Sequence, residues 1–566
     1  MELRKKPGDE ADTFPLVEGS TEGSHGVNPL DPSARPESKS SARSHMLSAR
    51  EPGDLESASP STMADGKQPR EGRNQKPRSK TSEESDEPIV PLKSAKTRVT
   101  PVESMEERGE AKGKLAPRNA HRTQGRVGAT TNLERVGRKA TKDKETKFSN
   151  LMCHLKGPLL EQAYQRLRKD AAPGVDGVTW SEYGQNLQAR LADLQDRIHR
   201  GNYHPLPVRR VHIPKPDGRE RPIGIPALED KVVQQAVRMI LEPIYERAFF
   251  GFSYGFRPRR SAHDALDALA TVIIKKRTDW VLDADIRSFF DTIDHEWMKK
   301  FLEHRIADRR LVRLLMKWLA AGVMEEGKLH ETQEGTPQGG IISPLLSNIY
   351  LHYVLDLWVH AQRKRNAGGI YLVRYADDFV MAFEDGRDAK TMRAKLERRL
   401  SEFGLELHRD KTRILRFGRY ARERSANLGL KVETFDFLGF THVAGKDGNN
   451  GWFQLHRLTS RKKRQQTLAE LSLELRRRRH EDARATHKWL SSVLRGHYEY
   501  FSVPTNERVL ARFRRHLSDA WLRQLRRRSQ KGSRWSVAKI QRFKKRFPLP
   551  KPKIRHPWPE ERFAAR

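Results

Sequence analysis

Two adjacent carboxylates, Asp377 and Asp378, occur in the stretch RYADDFV at residues 374–380. Short apolar runs flank them, GIYLV before and FVMAF after, so the pattern predicts strands at about 370–375 and 379–383 joined by a tight hairpin turn. Like charges placed side by side repel each other, and a half-buried strand is a costly place for both of them. This cost indicates that the pair has a chemical role.

A third carboxylate, Asp285, ends an apolar strand predicted from Trp280 to Ala284. If this strand pairs with the hairpin in one sheet, the three carboxylates meet at the end of the sheet. Their mutual repulsion then requires counter-charge, which hard divalent cations with oxygen ligands supply. Two Mg²⁺ ions at such a site would support nucleotidyl transfer, one activating a 3′-hydroxyl and the other holding a triphosphate. The alternative is an ordinary polar turn with Asx hydrogen bonds, the usual meaning of an isolated pair of aspartates.

The overall charge narrows the class of partner. The 566 residues include 109 Lys+Arg against 73 Asp+Glu, a formal net charge of +36. Self-repulsion of this size favours a polyanionic partner, with nucleic acid the leading one. The sequence has no run of about 18 apolar residues to span a bilayer, and its N-terminus lacks the apolar core of a secretory signal. The single cysteine, Cys153, excludes intramolecular disulfides and cysteine-ligated zinc fingers and favours a reduced, intracellular location.

Changes in composition divide the chain into four segments. Residues 1–150 contain few aromatics and are predicted to form a disordered basic extension. Residues 151–445 have the composition of a globular α/β or α+β domain and begin with an apolar stripe at helical spacing. Residues 446–545 contain Arg-rich amphipathic helices, and 546–566 form a Pro-rich basic tail that is predicted to be irregular.

Eight stretches in a fixed order resemble the sequence blocks of bacterial group II intron-encoded reverse transcriptases that also act as maturases. They are AAPGVDGVTW (171–180), RRVHIPKPDGRERPIGIPALEDKVVQQAV (209–237), SYGFRPRRSAHDAL (253–266), LDADIRSFFDTIDHE (282–296), GTPQGGIISPLLSNIYL (335–351), VRYADDFVMAF (373–383), LELHRDKTRI (405–414) and FDFLGF (435–440). The resemblance covers about 170–440, and a maturase-like segment extends it toward 545. One YxDD motif alone is weakly specific, whereas eight blocks in order are highly specific.

The resemblance implies an α+β fold of the right-hand polymerase type. Fingers and a palm with an antiparallel sheet would occupy 151–445, and an α-helical thumb and maturase domain would follow over 446–545. It also implies that Asp285, Asp377 and Asp378 are the catalytic ligands of two Mg²⁺ ions. Asp285 and Asp377 would be the principal bridging ligands, with Asp378 in a supporting position.

Two basic residues and one aromatic are expected to contact the incoming nucleotide. Lys215 and Arg221 flank a predicted Pro-Asp-Gly turn, and the resemblance puts both over the triphosphate; two solvated residues on a hairpin are the alternative. The resemblance implies that Phe290, five positions after Asp285, is the residue beneath the sugar. A bulky ring there would clash with a 2′-hydroxyl and favour dNTPs, although Phe290 also fits a core position.

Three further residues complete the nucleotide pocket that the resemblance implies. Gln338, in the Gly/Pro loop before an apolar helix, would lie beside the nucleotide and template, where glycines allow close backbone approach. Ile286 follows the first catalytic aspartate in the same pocket. Lys411 would lie near the leaving pyrophosphate, and a solvated lysine at a helix end is an equally good interpretation.

Basic residues interleaved with aromatics predict contacts with a structured RNA, because phosphate contacts provide affinity and aromatic rings stack on unpaired bases. The stretch LRGHYEYF (494–501) resembles a characteristic maturase segment, and basic runs surround it. Helix core and a solvated basic face are the alternatives. The predicted RNA-binding residues are Arg257, Arg260, Arg476, Arg477, Arg495, Tyr498 and Tyr500.

The predicted function is that of an RNA-directed DNA polymerase encoded by a group II intron, which copies the intron RNA and binds it as a maturase to assist splicing and mobility. The implied partners are the intron RNA, a target DNA primer and dNTPs, without a membrane; a homodimer is left open. A bacterial cytoplasmic location is expected, with nucleoid association during mobility. The alternatives are a splicing factor with a relic polymerase and a domesticated reverse transcriptase in phage defence. The lone Cys153 predicts that no cysteine-ligated endonuclease is attached, so mobility would start from an existing DNA strand.

Overall fold

The computed structural model describes residues 132–143, 145–214, 220–325, 328–330, 335–336, 339–366, 368–447 and 451–564. The predicted disordered extension lies outside these residues up to position 131. From there the structure differs from the prediction, because residues 132–142 form a helix, α1, in which Leu133 and Ala140 are buried. Phe148 is also buried and forms a parallel bridge with Ile306. The folded region therefore begins before 151, since apolar residues at helical spacing in α1 pack against the domain.

The helices are, in chain order, α1 (132–142), α2 (Gly157–Arg166), α3 (Trp180–Gln185), α4 (Leu187–Arg200), α5 (Leu228–Tyr245), α6 (Ala262–Lys275), α7 (His295–Arg305), α8 (Arg309–Leu319), α9 (Ser343–Leu351), α10 (Leu357–Arg365), α11 (Gly386–Ser401), α12 (Ala421–Asn427), α13 (Arg461–Arg477), α14 (Ala483–Phe501), α15 (Glu507–Arg526), α16 (Gln530–Ser533), α17 (Val537–Arg546) and α18 (Pro559–Ala564). Short 3₁₀ segments occur at Leu151–His154, Phe289–Asp291 and Arg478–His480, and a π-helical segment, His352–Asp356, joins α9 to α10. None of the described helices is both long and apolar enough to cross a membrane.

The strands are β1 (Val208–Pro214), β2 (Glu220–Ile225), β3 (Trp280–Ala284), β4 (Val323–Glu325), β5 (Lys328–His330), β6 (Ile370–Tyr375), β7 (Asp378–Phe383), β8 (Arg413–Arg416), β9 (Thr434–Phe437), β10 (Phe440–Lys446) and β11 (Phe453–Thr459). They form three sheets with the orders β2-β1-β4-β5, β6-β7-β3-β8 and β11-β10-β9. The second sheet is antiparallel throughout, as predicted. The strand predicted from Trp280 to Ala284 is confirmed as β3.

The β6-β7-β3-β8 sheet is buried on both faces, because successive side chains of a strand point to opposite sides. Leu282 and Met381 belong to a core shared with helices α5 and α7–α11, whereas Val281 and Val380 belong to a second core shared with α6, the β9–β11 sheet and α13–α15. Apolar layers on both sides hold the sheet rigid, so the side chains at its end have fixed positions. The α+β fold class is confirmed.

The last segment, predicted to be irregular, is packed onto the domain. Leu549 is buried, and the Arg457 guanidinium lies 4.2 Å from the centroid of the Trp558 ring. The Tyr498 hydroxyl donates to the Pro550 carbonyl at 3.1 Å. Prolines prevent regular structure over most of the segment, yet its apolar side chains and carbonyls find partners on α14 and β11.

Candidate active site

The hairpin β6–β7 places the two adjacent aspartates at different points. Tyr375 pairs with Asp378 and closes a two-residue turn formed by Ala376 and Asp377. Ala376 has φ 59°, the left-handed conformation that tight hairpin turns require at their first position. Asp377 is therefore at the tip of the turn, while Asp378 is the first residue of β7.

Asp285 reaches the same end of the sheet because β3 runs antiparallel to β7. Ala284 lies opposite Phe379 in the ladder, so the next residue, Asp285, follows at the end where β7 begins with Asp378. The expected pairing of the two strands in one sheet is confirmed. A pocket of about 440 Å³ opens at this end. Its charged lining residues are Asp283, Asp285, Asp378, Asp410, Lys411, Arg413 and Asp436.

The carboxylates in this pocket repel one another. Asp378 is accessible from the pocket but is surrounded by protein, and this desolvation raises the pKa of its carboxyl to about 7; the charges of Asp377 and Asp285 act in the same direction. Burial also raises the pKa of Asp283 to about 6, although Arg413 donates to it at 3.2 Å and opposes the rise. The site therefore carries negative charge that the nearby basic side chains neutralise only in part.

Lys411 supplies the principal compensation. Its Nζ donates to Oδ2 of Asp285 at 2.5 Å, and the backbone N–H of His408 donates to the Asp285 carbonyl at 2.8 Å. The sequence predicted Lys411 near a leaving pyrophosphate; the structure brings it directly to a catalytic candidate. Its ammonium group occupies a position at the carboxylate where a divalent cation would provide the same counter-charge.

The described residues contain no group of three His, Cys, Asp or Glu side chains close enough to enclose a metal ion. Asp285 and Asp378 line the pocket together, while Asp377 at the turn is half-buried and is not part of that lining. The donor set still fits Mg²⁺ chemically, because carboxylate oxygens are its preferred protein ligands and the pocket has an excess of negative charge.

A buried ion pair directly under the turn holds the hairpin in place. Arg374 and Asp356 are both 0% exposed, and Nε and Nη2 of the arginine donate to the two carboxylate oxygens at 2.8 and 2.6 Å. Nη1 also donates to the Ala376 carbonyl at 2.9 Å and to Oδ1 of Asn348 at 3.0 Å. The left-handed turn is thereby tied to the π-helical segment that carries Asp356, a local irregularity common at functional sites.

Sequence analysis did not single out Arg374, although it directly precedes the motif. The available signal was a charged residue within an apolar strand, which is tolerated only when it is paired. Gly255 lies against the backbone of the same turn. A Cβ at this position would lie 2.3 Å from the Ala376 backbone nitrogen, so only glycine permits this approach.

The predicted nucleotide-binding residues are described only in part. Lys215 and Gln338 lie outside the described residues, and for Arg221 only the backbone is described, within β2 opposite Ile213. Phe290 is half-buried against the core, and its carbonyl accepts the Thr336 N–H at 2.7 Å.

Ile286 is 3% exposed and belongs to the core. The apolar interior therefore encloses its side chain, so the predicted nucleotide contact of Ile286 would have to involve its backbone. The backbone of Ile286 forms a bridge with Leu407 next to Asp285. This bridge anchors the end of the strand beside Asp285.

Four of the predicted RNA-binding residues have internal partners in the structure. Arg257 is 6% exposed and makes two hydrogen bonds of 2.9 Å to Glu246, so its guanidinium is already paired within the protein. Tyr498 is 4% exposed with its hydroxyl bonded to the tail, which excludes base stacking. The Tyr500 hydroxyl donates to the Leu438 carbonyl at 2.9 Å, and its half-buried ring packs on Phe440. Arg260 is half-buried and donates to the Gly251 carbonyl at 2.7 Å.

The other three predicted RNA-binding residues are exposed. Arg476 and Arg477 lie at the end of α13, and Arg495 lies on α14. Arg477 is 3.5 Å from Glu474, a surface ion pair that contributes little and leaves the guanidinium accessible. These side chains are available to a ligand.

Comparison with known proteins adds family evidence to this geometry. A family model described as "Reverse transcriptase (RNA-dependent DNA polymerase)" matches residues 213–442, which include all three candidate aspartates. The chain is 40% identical over 274 residues to Protein YkfC of Escherichia coli, covering 43% of this chain and 72% of that protein. It is 37% identical over 238 residues to the group II intron-encoded protein LtrA of Lactococcus lactis, covering 41% of this chain and 39% of LtrA.

A weaker similarity, 29% identity over 136 residues, links the chain to "Nuclear intron maturase 4, mitochondrial" of Arabidopsis thaliana, covering 24% of this chain and 17% of that protein. The match thus spans slightly more than two thirds of YkfC but about two fifths of LtrA. The matched region contains the hairpin, β3 and the carboxylate pocket. The chain belongs to the family of group II intron-encoded reverse transcriptases and maturases.

Proposed function

We propose that this protein is an RNA-directed DNA polymerase that copies the RNA of its own group II intron and binds the same RNA as a maturase. The observation that carries the proposal is the pairing of β3 with β7, which brings Asp285 and Asp378 to one pocket within the region that matches reverse transcriptases. The cytoplasm, where intron RNA is made in bacteria, is the corresponding location.

In this proposal two of the three sheets have distinct tasks. The β2-β1-β4-β5 sheet is the fingers and the β6-β7-β3-β8 sheet is the palm, together within 151–445. Helices α13–α17, which begin within 446–545, form the thumb and maturase domain. The exposed residues Arg476, Arg477 and Arg495 contact RNA phosphates, because guanidinium groups match the geometry of phosphate oxygens.

Asp285, Asp377 and Asp378 would hold two Mg²⁺ ions, which supply Lewis-acid activation of the primer 3′-hydroxyl and charge neutralisation at the triphosphate. Asp285 would hold a metal ion through the carboxylate that accepts from Lys411 in this structure. The Lys411 ammonium would also lie within reach of the pocket to donate to a phosphate oxygen of the leaving pyrophosphate. The ion pair of Arg374 with Asp356 keeps the hairpin from moving as charge develops.

Selection of the nucleotide depends on Phe290 in this proposal. Its ring lies beneath the sugar and excludes a 2′-hydroxyl, while Lys215, Arg221 and Gln338 contact the triphosphate and template. The ring is half-buried and packs against the core, and the Thr336 N–H donates to the Phe290 backbone carbonyl at 2.7 Å. Replacing Phe290 with Val should therefore increase rNTP incorporation relative to dNTP, measured in single-nucleotide primer extension. An unchanged ratio would remove Phe290 from this role.

Two assays on the same protein test the proposal as a whole. Extension of a DNA primer on an RNA template with Mg²⁺ and dNTPs measures the polymerase, and in vitro splicing of the flanking intron RNA measures the maturase. We expect both activities. Splicing support without dNTP incorporation would overturn the polymerase assignment and favour a maturase with a relic active site.

A further inference from the structure

A second pocket, of about 760 Å³, lies between α1, α2, the end of α5 and the loop 251–260. It is distinct from the carboxylate pocket, with which it shares no lining residue. Its charged lining consists of six arginines and three glutamates. The arginines are Arg138, Arg166, Arg247, Arg257, Arg259 and Arg260.

Two of the three glutamates are already neutralised. Glu246 accepts two hydrogen bonds of 2.9 Å from Arg257, whose guanidinium also donates to the carbonyls of Phe250 and Ser253 at 2.6 Å. Glu242 forms an ion pair with Arg238 at 3.2 Å. Arg257 is therefore a fully bonded structural part of the pocket floor, and the acids leave most of the positive charge of the pocket uncompensated.

Arg260 is the clearest sign of this imbalance. Its Nη1 donates to the Gly251 carbonyl at 2.7 Å, but its buried Nε has no hydrogen-bond partner among the described residues. Burial, followed by the charge of Arg257, lowers the pKa of the Arg260 guanidinium to about 10. A half-buried cation gains free energy when an anion enters the pocket beside it.

The rim of the pocket has four exposed arginines on separate elements. Arg138 is on α1, Arg166 ends α2, Arg247 follows α5, and Arg259 is in the loop. Within the described part of the chain none of the four makes an ion pair with a carboxylate. Arg259 has φ 60°, a strained conformation for a residue other than glycine, and such strain is concentrated at ligand sites.

We propose that this pocket binds the phosphodiester backbone of a single-stranded RNA segment, independently of sequence. Four guanidinium groups on two helices, the segment after α5 and a loop match a chain of successive phosphates better than one compact anion. The lining supplies no exposed aromatic ring on which a base could stack: Phe249, its sole aromatic, is buried. The inference rests on the RNA partner of the proposed function and adds a binding site to it.

The test compares two triple variants with the same loss of charge. Arg166→Gln/Arg247→Gln/Arg259→Gln removes three rim arginines; Arg387→Gln/Lys395→Gln/Arg398→Gln removes three exposed cations from α11. Binding of a fluorescent unstructured RNA of about 20 nucleotides is measured by anisotropy at several salt concentrations. We expect the Kd of the rim variant to rise about tenfold or more at low salt, and its slope of log Kd against log salt to fall by about 2, since each single-strand phosphate contact contributes about 0.7.

An equal rise of Kd in both variants would overturn the inference, because it would show a general charge effect. Unchanged RNA binding, with inorganic pyrophosphate protecting the wild type but not the rim variant from thermal unfolding, would also overturn it and assign the pocket to a free phosphate ligand. Thermal unfolding of both variants without ligand confirms that they are folded. If the wild type shows no primer extension, only the polymerase proposal is refuted, because the RNA-binding comparison does not depend on dNTP incorporation.

Discussion

Two groups of charged residues lie on opposite sides of the same hairpin turn, and they are treated in opposite ways. Beneath the turn, Asp356 is completely buried, and its carboxylate accepts two hydrogen bonds from Arg374. Beyond the turn, Asp285 and Asp378 share an open pocket with other aspartates. The first group is matched charge for charge, whereas the second has more negative charge than the nearby Lys411 and Arg413 can neutralise.

The difference separates support from chemistry. A buried charge must be paired within the protein, because no solvent or ligand can stabilise it. A pocket that faces a ligand can remain unbalanced, and its repulsion becomes binding energy when a cation arrives. The repulsion between the aspartates lowers the stability of the folded protein, as is common at active sites.

Removing two of the aspartates is the strongest test of this contrast between the buried ion pair and the open pocket. Asp377→Ala/Asp378→Ala should reduce DNA synthesis by at least about a thousandfold, because the proposed metal ligands are lost. RNA affinity should remain, and the free energy of unfolding should rise by about 1 kcal/mol since the repulsion is relieved. Primer extension, RNA anisotropy and urea unfolding measure the three quantities.

The matched control for this change is Asp193→Ala/Asp196→Ala, which removes two exposed aspartates from α4. It should retain DNA synthesis. If the active-site variant instead lost stability, the carboxylates would be structural, and the contrast between the two groups would fail.

Breaking the buried pair should have the opposite effect on stability. Arg374→Met leaves Asp356 buried without its partner and should lower the free energy of unfolding by about 3–5 kcal/mol. The double variant Arg374→Met/Asp356→Leu should recover most of this loss, because it removes the unpaired charge as well. Urea unfolding of the two variants beside the wild type gives both values. Equal losses in the single and double variants would show that the pair acts by packing alone.

A buried titratable group with no carboxylate partner provides an intermediate case. His442 is 0% exposed, and burial, followed by the charge of Arg457, lowers its pKa to about 3. The folded protein therefore binds fewer protons than the unfolded chain between about pH 3 and 6.5, so stability falls as the pH falls below about 6.5. Between pH 7 and 5 the wild type should lose about 2 kcal/mol more than His442→Phe, measured by urea unfolding at both values.

The phenylalanine variant retains the ring stack, because His442 lies parallel to Phe435 with centroids 4.8 Å apart. Other buried histidines, such as His352, whose burial lowers its pKa to about 3, are unchanged in the variant. The difference in acid sensitivity therefore belongs to position 442. Identical pH dependence in both proteins would mean that His442 is protonated in the fold.

The smallest effect concerns Lys411. Its ammonium competes with a cation for Asp285, so Lys411→Gln should lower the half-saturating Mg²⁺ concentration by up to about fivefold, the value of about 1 kcal/mol for an exposed pair. The maximal rate should fall if the lysine also contacts the leaving pyrophosphate. Primer extension over a series of Mg²⁺ concentrations measures the half-saturating concentration and the maximal rate separately, and Lys395→Gln is the control. A higher Mg²⁺ requirement would show that Lys411 helps rather than opposes the cation.

Local patterns were sufficient where neighbours along the chain decide the structure. β3 and the hairpin β6–β7 follow from apolar runs that a turn or a charged residue interrupts, and their bounds agree with the prediction to within a residue. Predictions for single side chains were less successful. Arg257 and Tyr498 looked like ligands for RNA, yet Glu246 and the Pro550 carbonyl bind them, and these partners lie 11 and 52 residues away.

By itself the sequence determined the order of the polymerase blocks, the α+β class and the three aspartates, because residue type and spacing along a strand carry that information. The tertiary structure alone decided which charges are matched. It placed Arg374 against Asp356 and Lys411 against Asp285. It also left the buried Nε of Arg260 without a hydrogen-bond partner among the described residues. The physical reason is that the free energy of a charge depends on its burial and on the groups around it, which the fold brings together from distant parts of the chain.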